Sequence, residues 1–249
     1  MIEIHPLGMI GEVQPRDDLI VILREALVAA GLSASGADVL VVSQKIVSKA
    51  EDRYVVLDGV IPSEEALRLA KVTLKDPRLV ELVLSESTAV VRAAPNVLIT
   101  RHRCGYVMAN AGIDRSNTGS GGRVLLLPKN ADASAERLRK GLGTRSGNQP
   151  AVVISDSFGR PWRYGVVNVA LGASGLPSLI DKRGEPDRDG RPLEVTQIAF
   201  ADMIASAAGL ATGEGAEGIP AALIRGAIWP AGSLPASALL RPLSEDLFQ

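Results

Sequence analysis

Apolar residues set the first predicted elements. Leu19, Ile22, Leu23, Ala26 and Leu27 recur at helical spacing, which predicts a helix over residues 16–30 closed by Gly31. Residues 38–43 (DVLVVS) form a continuous apolar run of strand length and lead into QKIVSKAEDR. A second helical region starts near Ser63, breaks before Pro77 and resumes over residues 78–84. Strands are expected over residues 88–92, 96–100 and 123–127. The most hydrophilic stretch, residues 128–150, contains a helix over residues 134–142 with Asp132 as its cap, followed by the loop-like GLGTRSGNQP. Residues 151–155 read as a buried strand ending at Asp156. An Ala-rich helix is expected over residues 193–210 and a late strand over residues 221–225. Strands and helices are mixed without regular βαβ alternation, so the expected class is α+β rather than a doubly wound sheet. Residues 1–249 are read as a single domain. Residues 128–150 are a candidate lobe boundary, a surface excursion being the simpler reading.

Composition narrows the chemistry. Hydrophobic residues make up 46% and charged residues 22%, as in ordinary globular proteins, but aromatics are only 3%. Few aromatics argue against single-strand nucleic-acid binding. A formal net charge of −1 without a basic run argues against a phosphate-backbone binder. The one cysteine, Cys104, excludes an intrachain disulfide, and no signal-peptide pattern or long apolar span is present. The protein is therefore read as cytoplasmic, with no membrane or nucleic-acid partner. With only His5 and His102 beside that cysteine, a Cys/His zinc site is hard to assemble. No Walker A string, HExxH or G-x-S-x-G elbow occurs. Catalysis, if present, falls to carboxylates, amides, lysines, arginines and backbone N–H groups.

Four segments offer such groups. CGYVMANAGIDRSN (residues 104–117) carries Asp114, a hard oxygen donor suited to Mg2+ or Mn2+, among small residues that let a ligand approach the backbone. The same residue types also make ordinary turns. ISDSFGRPWRYG (residues 154–165) delivers Asp156 and Ser157 from an apolar strand, with Gly159 and Pro161 turning the chain. Arg160 and Arg163 are then placed for phosphate or carboxylate, and the plain alternative is a capped turn with Trp162 in the core. In VSQKIVSKAEDR (residues 42–53), Lys45 and Lys49 share a helix face beside Gln44, as in a phosphate-gripping corner or a solvated helix. GEGAEG (residues 213–218) matches G-x-G-x-x-G but lacks the preceding strand and following helix of a dinucleotide fold. It is read as a loop offering backbone N–H groups and Glu214 and Glu217. HPLGMIGEV, around Gly8 and Gly11, is a weaker candidate for backbone contact with a nucleotide base. The charged turn over residues 181–191 is most simply a solvated loop.

In this order, VVSQKIVSKAEDR, ANAGIDRSN, ISDSFGRPWR, the D-x-x-G-x-P-D stretch and GEGAEGIP resemble the coenzyme F420-0:γ-glutamyl ligase family from HPLG to about Trp229. The resemblance is to the stand-alone form, without the C-terminal flavin-type domain of actinobacterial members. It implies mixed and antiparallel sheets with flanking helices, two intimately packed lobes and an intertwined homodimer. It also implies GTP, L-glutamate and F420-0 as substrates, an acyl-phosphate intermediate, two sites for Mg2+ or Mn2+, and K+. Carried over by position, Asp114, Asp156, Ser157 and Glu214 are metal ligands. Leu7, Gly8, Met9, Ile10, Gln44, Lys49, Asn117, Gly213 and Gly215 likewise contact the nucleotide. Read from the residues themselves, Lys45 joins them through the lysine corner, and Arg160, as a binder of a substrate carboxylate or phosphate, completes the catalytic candidates with Asp114 and Asp156. In the family pattern Glu214 takes the place of Gln in some members and Ser157 that of Thr, and both changes keep an oxygen donor. Two readings stay open beside this one: the same chemistry on another carboxylate acceptor, and a GTP- and metal-binding regulatory module without catalysis.

Overall fold

The computed structural model describes residues 1–116, 118, 121–143 and 148–246. In chain order the elements are β1 (Glu3–Pro6), α1 (Leu19–Ala29), β2 (Asp38–Ser43), α2 (Gln44–Ala50), β3 (Tyr54–Val56), α3 (Glu64–Thr73) and α4 (Pro77–Ser85). Then come β4 (Ser87–Ala94), β5 (Val97–His102), β6 (Val107–Ala109), β7 (Arg123–Leu125) and α5 (Ala131–Leu142). The chain continues through β8 (Ala151–Arg160), β9 (Arg163–Ser174), β10 (Leu179–Asp181), β11 (Gln197–Ala199), α6 (Phe200–Thr212) and β12 (Ala221–Arg225). The mixture of helix and strand is the expected α+β class.

A five-stranded sheet of order β1-β12-β2-β8-β9 forms the centre. Its pairs are antiparallel except β2 and β8, which run parallel with Ser43 beside Ser155. The continuous apolar runs in β2 and β8 follow from cover on both faces. Leu40, Val42, Val152 and Ile154 pack with Leu23 of α1 and Leu138 of α5. The alternate residues Val39, Val41 and Val153 pack with Ile204, Ala205 and Ala208 of α6. A third buried cluster joins α3 and α4 to Leu98 of β5 and Val124 of β7.

Helix starts follow local capping. Asp18 accepts from the backbone N–H groups of Ile20 and Val21 and trims the first helix to Leu19. Ser63 caps α3, while Asp76 with Pro77 behind it starts α4. At α5 the structure corrects the expected cap. Asn130 accepts from Ala133 N at 2.9 Å. Asp132 lies inside the first turn, where its carboxylate accepts from Ala173 N at 2.9 Å and Ala236 N at 2.7 Å. The Ala-rich helix also starts later than expected, at Phe200, because β11 occupies Gln197–Ala199 against β10.

The largest correction concerns β8. It does not end at Asp156 but continues to Arg160, because β9 pairs with it along that length. The chain turns at Pro161 and Trp162, and Trp162 is exposed rather than in the core. Trp162 has φ 57°, a left-handed conformation that favours Gly or Asn and costs a residue of this size about 1–3 kcal/mol.

Candidate functional site

The parallel β2–β8 pair sets the position of the site. Both strands point their C-terminal ends the same way, and a ligand crevice opens beyond such ends. Immediately after Ser43 the chain enters α2, with Ser43 Oγ accepting from Lys45 N at 3.3 Å. Gln44, Lys45 and Lys49 are thereby brought beside Asp156, the residue after Ser155. These side chains line a cleft of about 1420 Å3, together with Ile10, Asp114, Ser157, Arg160, Gly213, Glu214 and Gly215.

Asp114 arrives by an unusual backbone route. Asn110, Ala111 and Gly112 all have positive φ, at 51°, 51° and 71°. Two non-glycine residues in succession in that region are an outlier of the kind concentrated at functional sites. Asp114 then pairs with Leu125 of β7 through two backbone hydrogen bonds of 2.9 Å. Its Oδ1 accepts from Ser116 N at 2.6 Å and from Ser116 Oγ at 2.8 Å, and its Oδ2 lies 2.7 Å from Lys45 Nζ. Burial alone would raise the Asp114 carboxyl. The hydrogen bonds from Lys45 and Ser116 outweigh it and hold the group below the usual carboxylate range.

Asp156 goes the other way. Desolvation pushes its carboxyl up to about 7, and the Asp114 carboxylate adds to the shift. The Ser157 backbone N–H, the charge of Lys45 and the Gln44 amide oppose it without prevailing. Gln44 is itself fixed, accepting from Ser48 Oγ at 2.9 Å. An anion that is costly to hold here, next to a second carboxylate and the oxygens of Ser157 and Ser116, is a donor set suited to a hard divalent cation. Among the described residues, no three His, Cys, Asp or Glu side chains converge as a preformed cage.

The remaining charges are also paired internally. Lys49, nearly fully buried, meets the exposed carboxylate of Glu12. Glu214 accepts from Ser157 Oγ, and from Asn168 Nδ2 at 2.6 Å. In the glycine loop, Gly215 N donates to Glu217 Oε2 at 2.7 Å. A Cβ built on Gly213, which has φ 71°, would lie 2.2 Å from Glu217 Cδ. A carboxylate thus sits in a cradle that exists because Gly213 has no side chain, against an N–H suited to an anion.

Not every expected residue reaches the cleft wall. Ile10 does. The Leu7 side chain is buried in the first core cluster, Gly8 packs near Ile219, and Met9 is exposed. Asn117 lies outside the described residues. Arg160 lines the cleft, donates from Nη2 to Tyr164 O at 3.0 Å, and has a buried Nε without a partner among the described residues. Arg163 is exposed. Cleft residues given no role from the sequence include Glu12, Asn168 and Arg123, and Ser116 stands there only as a polar neighbour of Asp114. The Arg123 guanidinium stacks on Tyr54, 4.8 Å from the ring centroid, with its buried Nε unpartnered among the described residues. Glu12 and Ser116 stood inside segments already singled out, HPLGMIGEV and CGYVMANAGIDRSN. Asn168 is in β9, which periodicity did not reveal.

A cleft at the end of a mixed sheet, combining lysines, two neighbouring carboxylates and a glycine loop closed over a carboxylate, defines the class: an α+β protein with a highly charged cleft. The model of the F420-0:gamma-glutamyl ligase family matches residues 8–226, and the chain belongs to that family. It is 42% identical to the coenzyme F420:L-glutamate ligase of Methanopyrus kandleri, covering 100% of this chain and 98% of that protein. It is 44% identical to the protein of the same name from Methanocaldococcus jannaschii, over 85% of this chain and 84% of that one. It is 46% identical to the one from Halobacterium salinarum strain R1, over 86% and 83%.

Proposed function

We propose that this protein joins L-glutamate through γ-glutamyl amide bonds to F420-0, driven by GTP. The observation that carries the reading is the placement of Asp156, Asp114, Lys45 and Lys49 on one cleft, in a chain whose named relatives are F420:L-glutamate ligases. An acceptor carboxylate oxygen attacks the γ-phosphorus of GTP and GDP leaves, giving an acyl phosphate. The glutamate amine then attacks the acyl carbon, phosphate leaves, and the amine loses a proton.

In this scheme the protein mainly positions groups and neutralises charge. Lys45 and Lys49 bind nucleotide phosphates, taking them in exchange for Asp114 and Glu12. Gly213 and Gly215 offer the loop cradle to a phosphate in place of Glu217. Leu7 to Ile10, Gln44 and Asn117 complete the nucleotide contacts, and Arg160 binds an anionic group of the acceptor. Asp114, Asp156, Ser157 and Glu214 would hold Mg2+ or Mn2+ in two sites, supplying Lewis-acid charge to the phosphate oxygens. A K+ ion, a homodimeric assembly and a cytoplasmic setting belong to the same proposal.

The test is mass spectrometry of purified protein incubated with F420-0, L-glutamate, GTP and Mn2+. A product heavier by whole glutamyl units, formed only with GTP, supports the reading. Intact GTP and no mass shift from folded protein would transfer it to another acceptor acid or to a binding module.

A further inference from the structure

Four cationic side chains stand on the described wall of the cleft: Lys45, Lys49, Arg123 and Arg160. Three are engaged by the protein itself. Lys45 meets Asp114, Lys49 meets Glu12, and Arg160 donates to Tyr164 O. Arg123 is different. Its guanidinium lies 4.8 Å from the centre of the Tyr54 ring, and no carboxylate or carbonyl among the described residues accepts from it, although its Nε is buried. A buried donor without an acceptor is costly, and an arriving anion removes part of that cost.

The backbone fixes where this cation points. β3 and β7 pair with Tyr54 opposite Leu125 and Val56 opposite Arg123. Asp114 bridges Leu125 from the other side. The alternate residues of this small ribbon, Val55, Val124 and Ile113, pack into the third buried cluster. Tyr54, Arg123 and Asp114 therefore share the opposite face, the one turned to the cleft. Thr118 Oγ1 donates to Arg123 O at 2.9 Å and pins the start of β7. Arg123 and Asp114 are diagonal cross-strand neighbours, about 7–8 Å apart along the backbone face. Stacking on Tyr54 occupies the flat face of the guanidinium and leaves its N–H edge, the edge that grips a carboxylate by two parallel hydrogen bonds.

We propose that Arg123, held flat on Tyr54, binds a carboxylate of the incoming L-glutamate and so selects the amino acid that is added. This rests on the ligase reading above. In that reading Lys45, Lys49 and the loop amides serve the nucleotide phosphates, and Arg160 on β8 serves the acceptor. The short diagonal from Arg123 to Asp114 suits one small molecule, with its carboxylate on the arginine and its amine toward the acyl phosphate.

Two variants of Arg123 separate this from a structural role. Arg123→Met keeps the stem and removes the charge, while Arg123→Lys keeps the charge and loses the planar fork. With wild-type turnover measured first, Arg123→Met should raise KM for L-glutamate about tenfold or more and Arg123→Lys severalfold, with KM for GTP and F420-0 within about twofold. Tyr54→Leu, which removes the ring beneath the fork, should raise KM for L-glutamate severalfold, and Tyr54→Phe should leave it within about twofold. Unchanged KM for L-glutamate in Arg123→Met overturns the proposal. So does a rise confined to GTP, which makes Arg123 a phosphate ligand, or to F420-0, which makes it an acceptor ligand, or an equal rise in all three, which makes it structural. If Arg123→Met does not fold, Arg123→Lys decides by the same comparison. If the wild type shows no turnover, the ligase reading fails, and calorimetric titration with L-glutamate then decides. Heat in the wild type that is lost in the folded Arg123 variant supports the carboxylate site, and no heat, or equal heat, overturns it.

Discussion

Lys45 Nζ lies 2.7 Å from Asp114 Oδ2, so one of the cleft's cations neutralises one of its proposed metal ligands. Both side chains are about three-quarters buried, where such a pair matters more than at the surface. Metal and nucleotide then compete for the two halves of one ion pair. Lys45→Met should therefore weaken GTP binding about tenfold or more while tightening Mn2+ binding in the absence of nucleotide. Calorimetric titration of each ligand alone reads the two effects. Equal movement of both affinities in one direction would be inconsistent with the exchange.

Asp156→Asn should leave the circular-dichroism spectrum intact and reduce turnover by orders of magnitude, since a neutral amide cannot balance metal charge. Near-normal turnover with unchanged metal dependence would remove Asp156 from the site.

The same carboxyl makes a pH prediction. Its folded value of about 7 lies above the ordinary 3.8, so its contribution to stability is fully present below about pH 4. That contribution is lost as pH rises through about 7. Asp38 and Glu86, held below their ordinary values, act in the opposite sense at low pH, so the informative quantity is the difference between wild type and Asp156→Asn. Without metal, wild-type Tm should fall relative to the variant between about pH 4 and pH 7. Mn2+ affinity should rise with pH over the upper part of that window, because binding displaces a proton. A pH-independent difference in Tm would contradict the shift.

Glu217 accepts the Gly215 N–H and covers Gly213, so it occupies a place proposed for phosphate. Glu217→Ala should tighten GTP binding severalfold, an unusual gain from deleting a cleft side chain. Weaker binding would assign Glu217 a supporting role instead.

Much of this was legible in the chain, and the failures have physical causes. The apolar runs at 38–43 and 221–225 match β2 and β12 because strands covered on both faces carry no polar alternation to confuse them. β9 escaped because its outer half is exposed, its inner half is buried, and Gly165 and Gly172 interrupt both patterns. With β9 unseen, nothing in residues 151–160 could reveal that β8 runs past Asp156. The late start of α6 has a similar origin: no side chain caps it, and its boundary is fixed by β11 pairing with β10. At the site, Asp114, Asp156, Lys45 and Glu214 lay inside recognisable motifs. Arg123 and Asn168 did not, and Glu12 lay in HPLGMIGEV without a role, since each reaches the cleft through contacts made only in the folded chain.

The parallel register of Ser43 beside Ser155 also bears on how the protein comes to exist. Gln44 and Lys45 follow one strand and Asp156 lies in the other, and the two strands are far apart along the chain, separated by α3, α4, α5 and strands β3 to β7. Closing so long a loop is slow and late in folding. Chains caught before that closure lack the floor of the cleft altogether, so cation and nucleotide would recognise only finished molecules and draw the population toward them.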